Sequence, residues 1–307
     1  MTLSVVSSLY KSKVFLDKFL EEIIKAIEYL KIEDYEIIFV NDGSPDDSME
    51  YLLLKKKTIP QITIIDLSRN FGHYNALQIG LKYTKADYVF LIDNDLETPP
   101  SFLIECFEAL RKDDSLDVVY GYQMKRKGKF VESVGGGLFW WAFNKLSDVE
   151  IPRNLLTERL MKKRFVENFL SLGDSNLFIL GMFHWTGFNQ LGLPVKKGLR
   201  EGKSTYSLRK RYDLMLQAIT SFTGKPLEYL FYSGLLITIA SFFISVFLII
   251  QKIIYGDEIQ LGWTSIVVIN IFILGIISTF LGLIGIYLFK IFRQVQNRPN
   301  AIINKIY

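Results

Sequence analysis

The chain has 307 residues, a mass of 35.5 kDa and a mean hydropathy of +0.22, with half its residues hydrophobic and 22% charged. That is too apolar for a disordered chain and too charged for one wholly embedded in a membrane; the net charge of +4 is too small to imply nucleic acid. One cysteine, Cys106, excludes an internal disulfide, and with only His73 and His184 beside it a His/Cys zinc site lacks ligands.

Met1–Ser8 has no basic segment and no long apolar run before Tyr10-Lys11, so no signal peptide is expected. Leu3–Ser7 reads as a strand, and Phe15, Leu16, Phe19, Leu20, Ile23, Ile24 and Ile27 follow at helical spacing. Glu36–Val40 is a second strand ending at Asn41-Asp42-Gly43. Ser44 then reads as an N-cap, with Pro45 at the first helical position. Ile62–Leu67 is a third strand, Asn75–Thr84 a helix, Tyr88–Ile92 a fourth strand, Pro100–Lys112 a helix and Val118–Tyr120 a further strand. This alternation predicts an α/β fold, a parallel sheet with helices on both faces. In such sheets ligands bind beyond the carboxyl ends of the strands. From Lys125 to Leu199 no clear pattern emerges. Gly135-Gly136-Gly137 reads as a turn, and Phe139, Trp140, Trp141 and Phe143 fit either a core or a membrane interface.

No charged residue occurs from Tyr229 to Ile250 or from Ile259 to Phe289. Each run exceeds the roughly 20 residues that cross a bilayer as a helix. Lys196, Lys197, Arg200, Lys203, Arg209, Lys210 and Arg211 precede the runs, and Lys290, Arg293, Arg298 and Lys305 follow them. By the positive-inside rule, the front domain and the tail face the cytoplasm, and the basic stretches suit anionic lipid. The expected organisation is a catalytic domain over 1–200, a basic juxtamembrane segment over 201–227, two transmembrane helices over 228–290 and a basic tail over 291–307. Ser241 and Ser245, like Ser278 and Gly282, lie four apart, a spacing that permits close helix packing and a homo-oligomer.

The strand ends carry acids. Neither G-x-G-x-x-G after the first strand nor G-x-x-x-x-G-K-[ST] occurs, which argues against dinucleotide redox chemistry and P-loop hydrolysis. Asp42 either accepts hydrogen bonds from a nucleobase or ribose, or forms the turn before Gly43. Asp93-x-Asp95-x-Glu97 follows the fourth strand directly. Carboxylates so crowded repel one another unless a cation sits between them. Oxygen-only ligands favour Mg2+ or Mn2+, which commonly bridge carboxylates to substrate phosphates. His73 is expected to make local hydrogen bonds, His184 to pack, and Cys106 to lie in the core.

These residues carry a resemblance. Val40-Asn41-Asp42-Gly43-Ser44, Ser68-Arg69-Asn70-Phe71-Gly72, Asp93-Asn94-Asp95-Leu96-Glu97-Thr98-Pro99-Pro100, Thr186-Gly187-Phe188, Ser221-Phe222 through Pro226-Leu227 and Asn297-Arg298-Pro299 resemble family-two glycosyltransferases of the GT-A fold. The whole chain resembles the branch that glycosylates polyprenyl phosphates. The resemblance implies a nucleotide-sugar donor, an undecaprenyl-type phosphate acceptor, Mg2+ or Mn2+, membrane lipids as partners, and a place in the bacterial cytoplasmic membrane, serving cell-surface polysaccharide such as O-antigen or lipid modification. It implies that Asp42, Ser8, Tyr10, Ser68, Asn70, Asp93 and Asn94 hold the nucleotide, and that Asp93, Asp95 and Glu97 ligate metal. Arg126 would neutralise phosphate, and Arg200, Ser204 and Tyr206 would meet the acceptor phosphate. The family's Gly-Asp-Phe-Arg-Leu reads Leu156-Thr157-Glu158-Arg159-Leu160 here, so its Asp, often proposed as a base, is Thr157; Glu158 remains to orient the acceptor. An anionic phosphate acceptor needs no base. The alternatives are a transferase that extends a lipid-linked sugar, and a non-catalytic nucleotide-sugar binder or flippase partner.

Overall fold

The computed structural model describes residues 1–123, 152, 154–174, 179–195, 224–255 and 262–307. Its elements run β1 (Thr2–Leu9), α1 (Lys13–Tyr29), β2 (Asp34–Asn41), α2 (Ser48–Lys56), β3 (Ile62–Leu67), α3 (His73–Tyr83), β4 (Tyr88–Leu91), α4 (Phe102–Lys112) and β5 (Val118–Gln123). They continue with β6 (Leu155–Lys162), α5 (Lys163–Ser171), α6 (Ile179–Trp185), β7 (Gln190–Val195), α7 (Lys225–Tyr255), α8 (Trp263–Gln296) and β8 (Ile303–Ile306).

The eight strands form one sheet in the order β7-β5-β6-β4-β1-β2-β3-β8. β1 pairs in parallel with β2 and β4, β2 with β3, and β5 with β7, whereas β6 runs antiparallel to β4 and β5, and β8 antiparallel to β3. The inner strands are apolar on both faces because each face is covered. Leu3, Val5, Ile37, Phe39, Ile62 and Ile64 join one core with α1 and α4; Val6, Ile38, Val40, Ile65 and Leu67 join the other with α3, α5 and α6. The two-residue alternation within each strand thus feeds two cores. Gly80 lets α3 approach the sheet: a Cβ there would lie 2.4 Å from Val6 Cγ1 and 3.1 Å from Val40 Cγ2.

The helix after β2 starts at Ser48 rather than beside Ser44. The Ser44 hydroxyl is used elsewhere, accepting the Lys11 backbone N–H at 2.8 Å and donating to Asp46. Asp46 in turn accepts the Ser48 N–H at 3.3 Å and the Ser48 hydroxyl at 2.6 Å, so it organises the helix start from just outside the helix.

Residues 291–307, expected as a basic tail, are the end of α8 and a strand of the sheet. α8 stops where Asn297 adopts a left-handed conformation, φ 47°. The Gln294 amide donates to the Gly173 carbonyl at 3.2 Å, and the Asn300 amide to Gln78 Oε1 at 2.7 Å and the Asp174 carbonyl at 3.1 Å. Ile64 and Tyr307 then exchange backbone hydrogen bonds of 3.1 and 2.9 Å, and the Asn304 amide reaches Asp66 at 2.9 Å. The strand caps an edge that would otherwise stay unpaired.

Among the described residues one helical segment, Ile273–Gln296 within α8, is long and apolar enough to cross a membrane, with mean hydropathy 2.0. α7 is an unbroken helix of 31 residues that touches α8 where Gly234 faces the Phe280 ring. An added Cβ at Gly282 would meet nothing within 4 Å; the side chains of Ser241, Ser245 and Ser278 lie outside those described.

Candidate active site

The carboxyl ends of β1 to β4 gather their loops at one end of the sheet. Asp42 caps β2. It is only 3% exposed, and its carboxylate accepts the backbone N–H of Phe71 at 2.6 Å and of Gly72 at 3.0 Å. The Asn70 amide closes the loop by donating to the Asp42 carbonyl at 2.9 Å. Burial pushes the Asp42 carboxyl up from its usual range, while the Phe71 and Gly72 amides and the charge of Arg69 pull it back. Of the two expectations for Asp42, the structure shows the turn: the carboxylate is taken up by the Phe71 and Gly72 amides. Gly43 makes this geometry possible. Its φ is +60°, and a Cβ on it would stand 2.7 Å from the Asn70 nitrogen.

Ser8 and the acid loop are joined through His73. The Ser8 hydroxyl and His73 Nδ1 lie 2.7 Å apart, and His73 Nε2 is 3.5 Å from Asp93 Oδ1. Packing around the imidazole lowers its pKa, against the opposing pull of Glu158, Asp42 and Asp95. A neutral ring can donate from only one nitrogen. The Asn94 amide donates to the Ser8 carbonyl at 2.8 Å and so ties the acid loop to β1. Asp95 accepts the Glu97 backbone N–H at 3.1 Å. Between them Leu96 sits at φ 59°, a conformation costly for a branched side chain and concentrated at functional loops.

The three acids do not converge as expected. Among the described residues no group of three or more His, Cys, Asp or Glu could hold a metal ion. Repulsion accounts for this: Asp93 turns toward His73, and Asp95 folds back onto the Glu97 amide. The donor set still fits a hard divalent cation held by one or two carboxylates, with donor phosphates and water completing its shell, which is how Mg2+ and Mn2+ commonly bind. It does not fit a cage of Asp93, Asp95 and Glu97 together.

The antiparallel β6 brings in a second group. Leu91 pairs with Arg159, so Glu158 and Thr157, the preceding residues of β6, reach the same sheet end as Asp93. Glu158 and Arg159 are each 2% exposed. The Arg159 guanidinium donates to the carbonyls of Thr157 at 3.0 Å and Leu156 at 2.9 Å, and lies 4.0 Å from the Phe183 ring centroid. Burial lowers its pKa to about 9, with Glu158 opposing. His73 makes the local hydrogen bond expected of it, whereas the burial of the Arg159 guanidinium within the domain was not foreseen. The signal for it was the Glu158-Arg159 pair set between Leu155-Leu156 and Leu160-Met161.

Ser68 and Asn70 are exposed in the β3–α3 loop, and Tyr10 is exposed after β1. Arg126, Arg200, Ser204 and Tyr206, with the glycine run and aromatic cluster of 135–143, lie outside the described residues. Cys106 is fully buried, as expected.

Parallel strands thus bring a buried carboxylate and an acid loop to one end of an α/β sheet. Residues 4–165 match the sequence pattern described as Glycosyl transferase family 2, and the chain belongs to that family: it is a nucleotide-sugar glycosyltransferase. It is 36% identical to a Mycobacterium tuberculosis chain named among glycosyltransferases, covering all of this chain and 89% of that one. It is 28% identical to the SfII prophage-derived bactoprenol glucosyl transferase of Shigella flexneri, over 99% and 98% of the two chains. A mannosyltransferase from Pyrobaculum calidifontis, solved with GDP-Man and Mn2+, shares the fold at TM-score 0.51 and 16% identity, covering 96% of this chain and 86% of that one.

Proposed function

We propose that the protein is a metal-dependent, inverting glycosyltransferase that moves a sugar from a nucleotide donor to a polyprenyl phosphate at the cytoplasmic membrane face. The observation that carries this reading is the pairing of a nucleotide-type strand end with a helix, α8, whose apolar segment is docked by its last turn onto the same domain. Similarity over nearly the full length to a bactoprenol glucosyl transferase supports the acceptor class.

In this reading Asp42 receives the nucleoside, with Ser8, Tyr10, Ser68, Asn70 and Asn94 shaping its pocket. Asp95, with Asp93, holds Mg2+ or Mn2+, which supplies charge to stabilise the departing diphosphate. An oxygen of the lipid phosphate attacks the anomeric carbon from the face opposite the leaving group. The bond from that carbon to the donor's β-phosphate oxygen breaks, and its electron pair leaves with the nucleoside diphosphate. No proton need be removed from an anionic acceptor, which accords with Thr157 at the position of the family's acid. Glu158 orients the acceptor side, Arg126 neutralises phosphate, and Arg200, Ser204 and Tyr206 bind the acceptor phosphate, the two hydroxyls by hydrogen bonds. Most of the rate then comes from positioning and fixed charge. α7 pairs with α8 as a two-helix anchor, and the protein assembles as a homo-oligomer.

A donor panel tests the reading. Full-length protein in vesicles receives undecaprenyl phosphate, Mg2+ or Mn2+, and UDP-, GDP- or dTDP-sugars in turn, and the lipid product is identified by mass. One donor should give an undecaprenyl-phosphate sugar, abolished by EDTA. Transfer only to a lipid already bearing a sugar, or no transfer with any donor, contradicts it.

A further inference from the structure

Beside the β3–α3 loop that borders the candidate active site, α8 ends in a cleft of about 430 Å³ against the domain. Arg69 and Phe71 of the β3–α3 loop form one wall, and Phe289, Phe292, Arg293 and Arg298 at the end of α8 and its following turn form the other. Three guanidinium groups thus face one cavity, and none of the residues lining it is acidic. Among the described residues none of the three makes an ion pair, although Arg69 stacks 4.1 Å from the Phe71 centroid and donates to the Asn70 carbonyl. Phe289 and Phe292 are 61% and 56% exposed and lie within the apolar segment Ile273–Gln296.

We propose that this cleft binds the phosphate of an anionic phospholipid headgroup. The inference rests on the membrane reading of α8 given above. Charge complementarity carries it: three arginines without an ion pair among the described residues concentrate where the apolar helix meets the domain, and arginine suits phosphate through its planar fork of donors. The exposed phenylalanines beside them suit the acyl chains of the same molecule. A soluble anion would use the arginines but leave the two rings in water; a phospholipid satisfies both.

The test uses full-length protein in nanodiscs of mixed phosphatidylcholine and phosphatidylglycerol, released into native mass spectrometry. The wild type should retain phosphatidylglycerol in preference to phosphatidylcholine. The single variants R293Q and R298Q, both at exposed positions, should each weaken that preference about fivefold, and the triple variant with R69Q should abolish it. The control K18Q/K25Q/K112Q removes the same charge from α1 and α4, across the sheet, and should retain the wild-type preference. Unchanged retention by the arginine variants, equal loss in the lysine control, or displacement of the lipid by inorganic phosphate overturns the proposal. Vesicle flotation separates the readings: protein that fails to float refutes the membrane reading, and floated protein without lipid preference refutes this inference alone. Lipid retention needs no turnover, so it stands or falls independently of the donor panel.

Discussion

Replacing Gly43 with alanine tests how the Asp42 loop is built. Two costs add at this position. The φ of +60° is unfavourable for an L-residue, by about 1–2 kcal/mol. The new Cβ also meets backbone, 2.7 Å from the Asn70 nitrogen and 3.0 Å from the Arg69 carbonyl carbon, and backbone cannot rotate away. Displacing it costs about 1–3 kcal/mol more. Gly187 provides the internal control, since its φ is +77° but nothing lies within 4 Å of an added Cβ. Gly187→Ala therefore carries only the first cost. Thermal unfolding of the purified protein at a fixed scan rate should show Gly43→Ala melting lower than Gly187→Ala by about 2–12 °C, taking about 2–4 °C per kcal/mol for a domain of this size. Because the clash pushes the 69–72 backbone off the Asp42 carboxylate, donor KM should rise at least about tenfold in Gly43→Ala and stay near wild type in Gly187→Ala. Equal melting temperatures and equal KM values for the two variants would refute the account of the Asp42 loop.

Three further predictions concern the scaffold. Gly80→Ala should destabilise the protein by about 1–3 kcal/mol through overpacking on Val6, and adding Val6→Ala should recover part of that loss in the same melting assay. Non-additivity of the pair is the signature; simple addition contradicts the packing. Cys106, fully buried with its thiol pKa pushed well above the usual value, should resist a thiol reagent until the protein is unfolded by denaturant; labelling of the native protein would contradict the core assignment. Deleting residues 302–307 should uncover the β3 edge, lower the melting temperature and promote association on size-exclusion chromatography. An unaffected monomer–oligomer profile and melting temperature would show that β8 contributes nothing.

The front half of the fold was legible because its signals are local. Leu3–Ser7, Glu36–Val40, Ile62–Leu67 and Tyr88–Ile92 are short apolar runs; in the structure the first two are three residues longer, the third is unchanged and the fourth ends one residue earlier. The acid positions at their ends were legible for the same reason, since a parallel sheet delivers strand ends to one side. β6 was hidden by its own chemistry. Leu155–Lys162 buries Glu158 and Arg159, a pair that reads as surface when no partner is in view. β8 was hidden by its length and polarity; Ile303–Ile306 holds an Asn and a Lys, and only pairing with β3 makes it a strand. The start of α2 was misplaced because Ser44 and Asp46 both fit a capping role and tertiary contact with Lys11 decided between them. The convergence of Asp93, Asp95 and Glu97 failed because spacing carries no information about mutual repulsion or about His73 as a competing partner.

The most direct test of the account is transfer by Asp95→Asn in membranes. With the donor identified and undecaprenyl phosphate present, radiolabelled sugar passing into the organic phase should fall at least about a hundredfold relative to wild type, while the melting temperature of the purified protein is unchanged. Transfer within a few-fold of wild type would show that the acid loop does not stabilise the leaving diphosphate, and the proposed chemistry would be wrong.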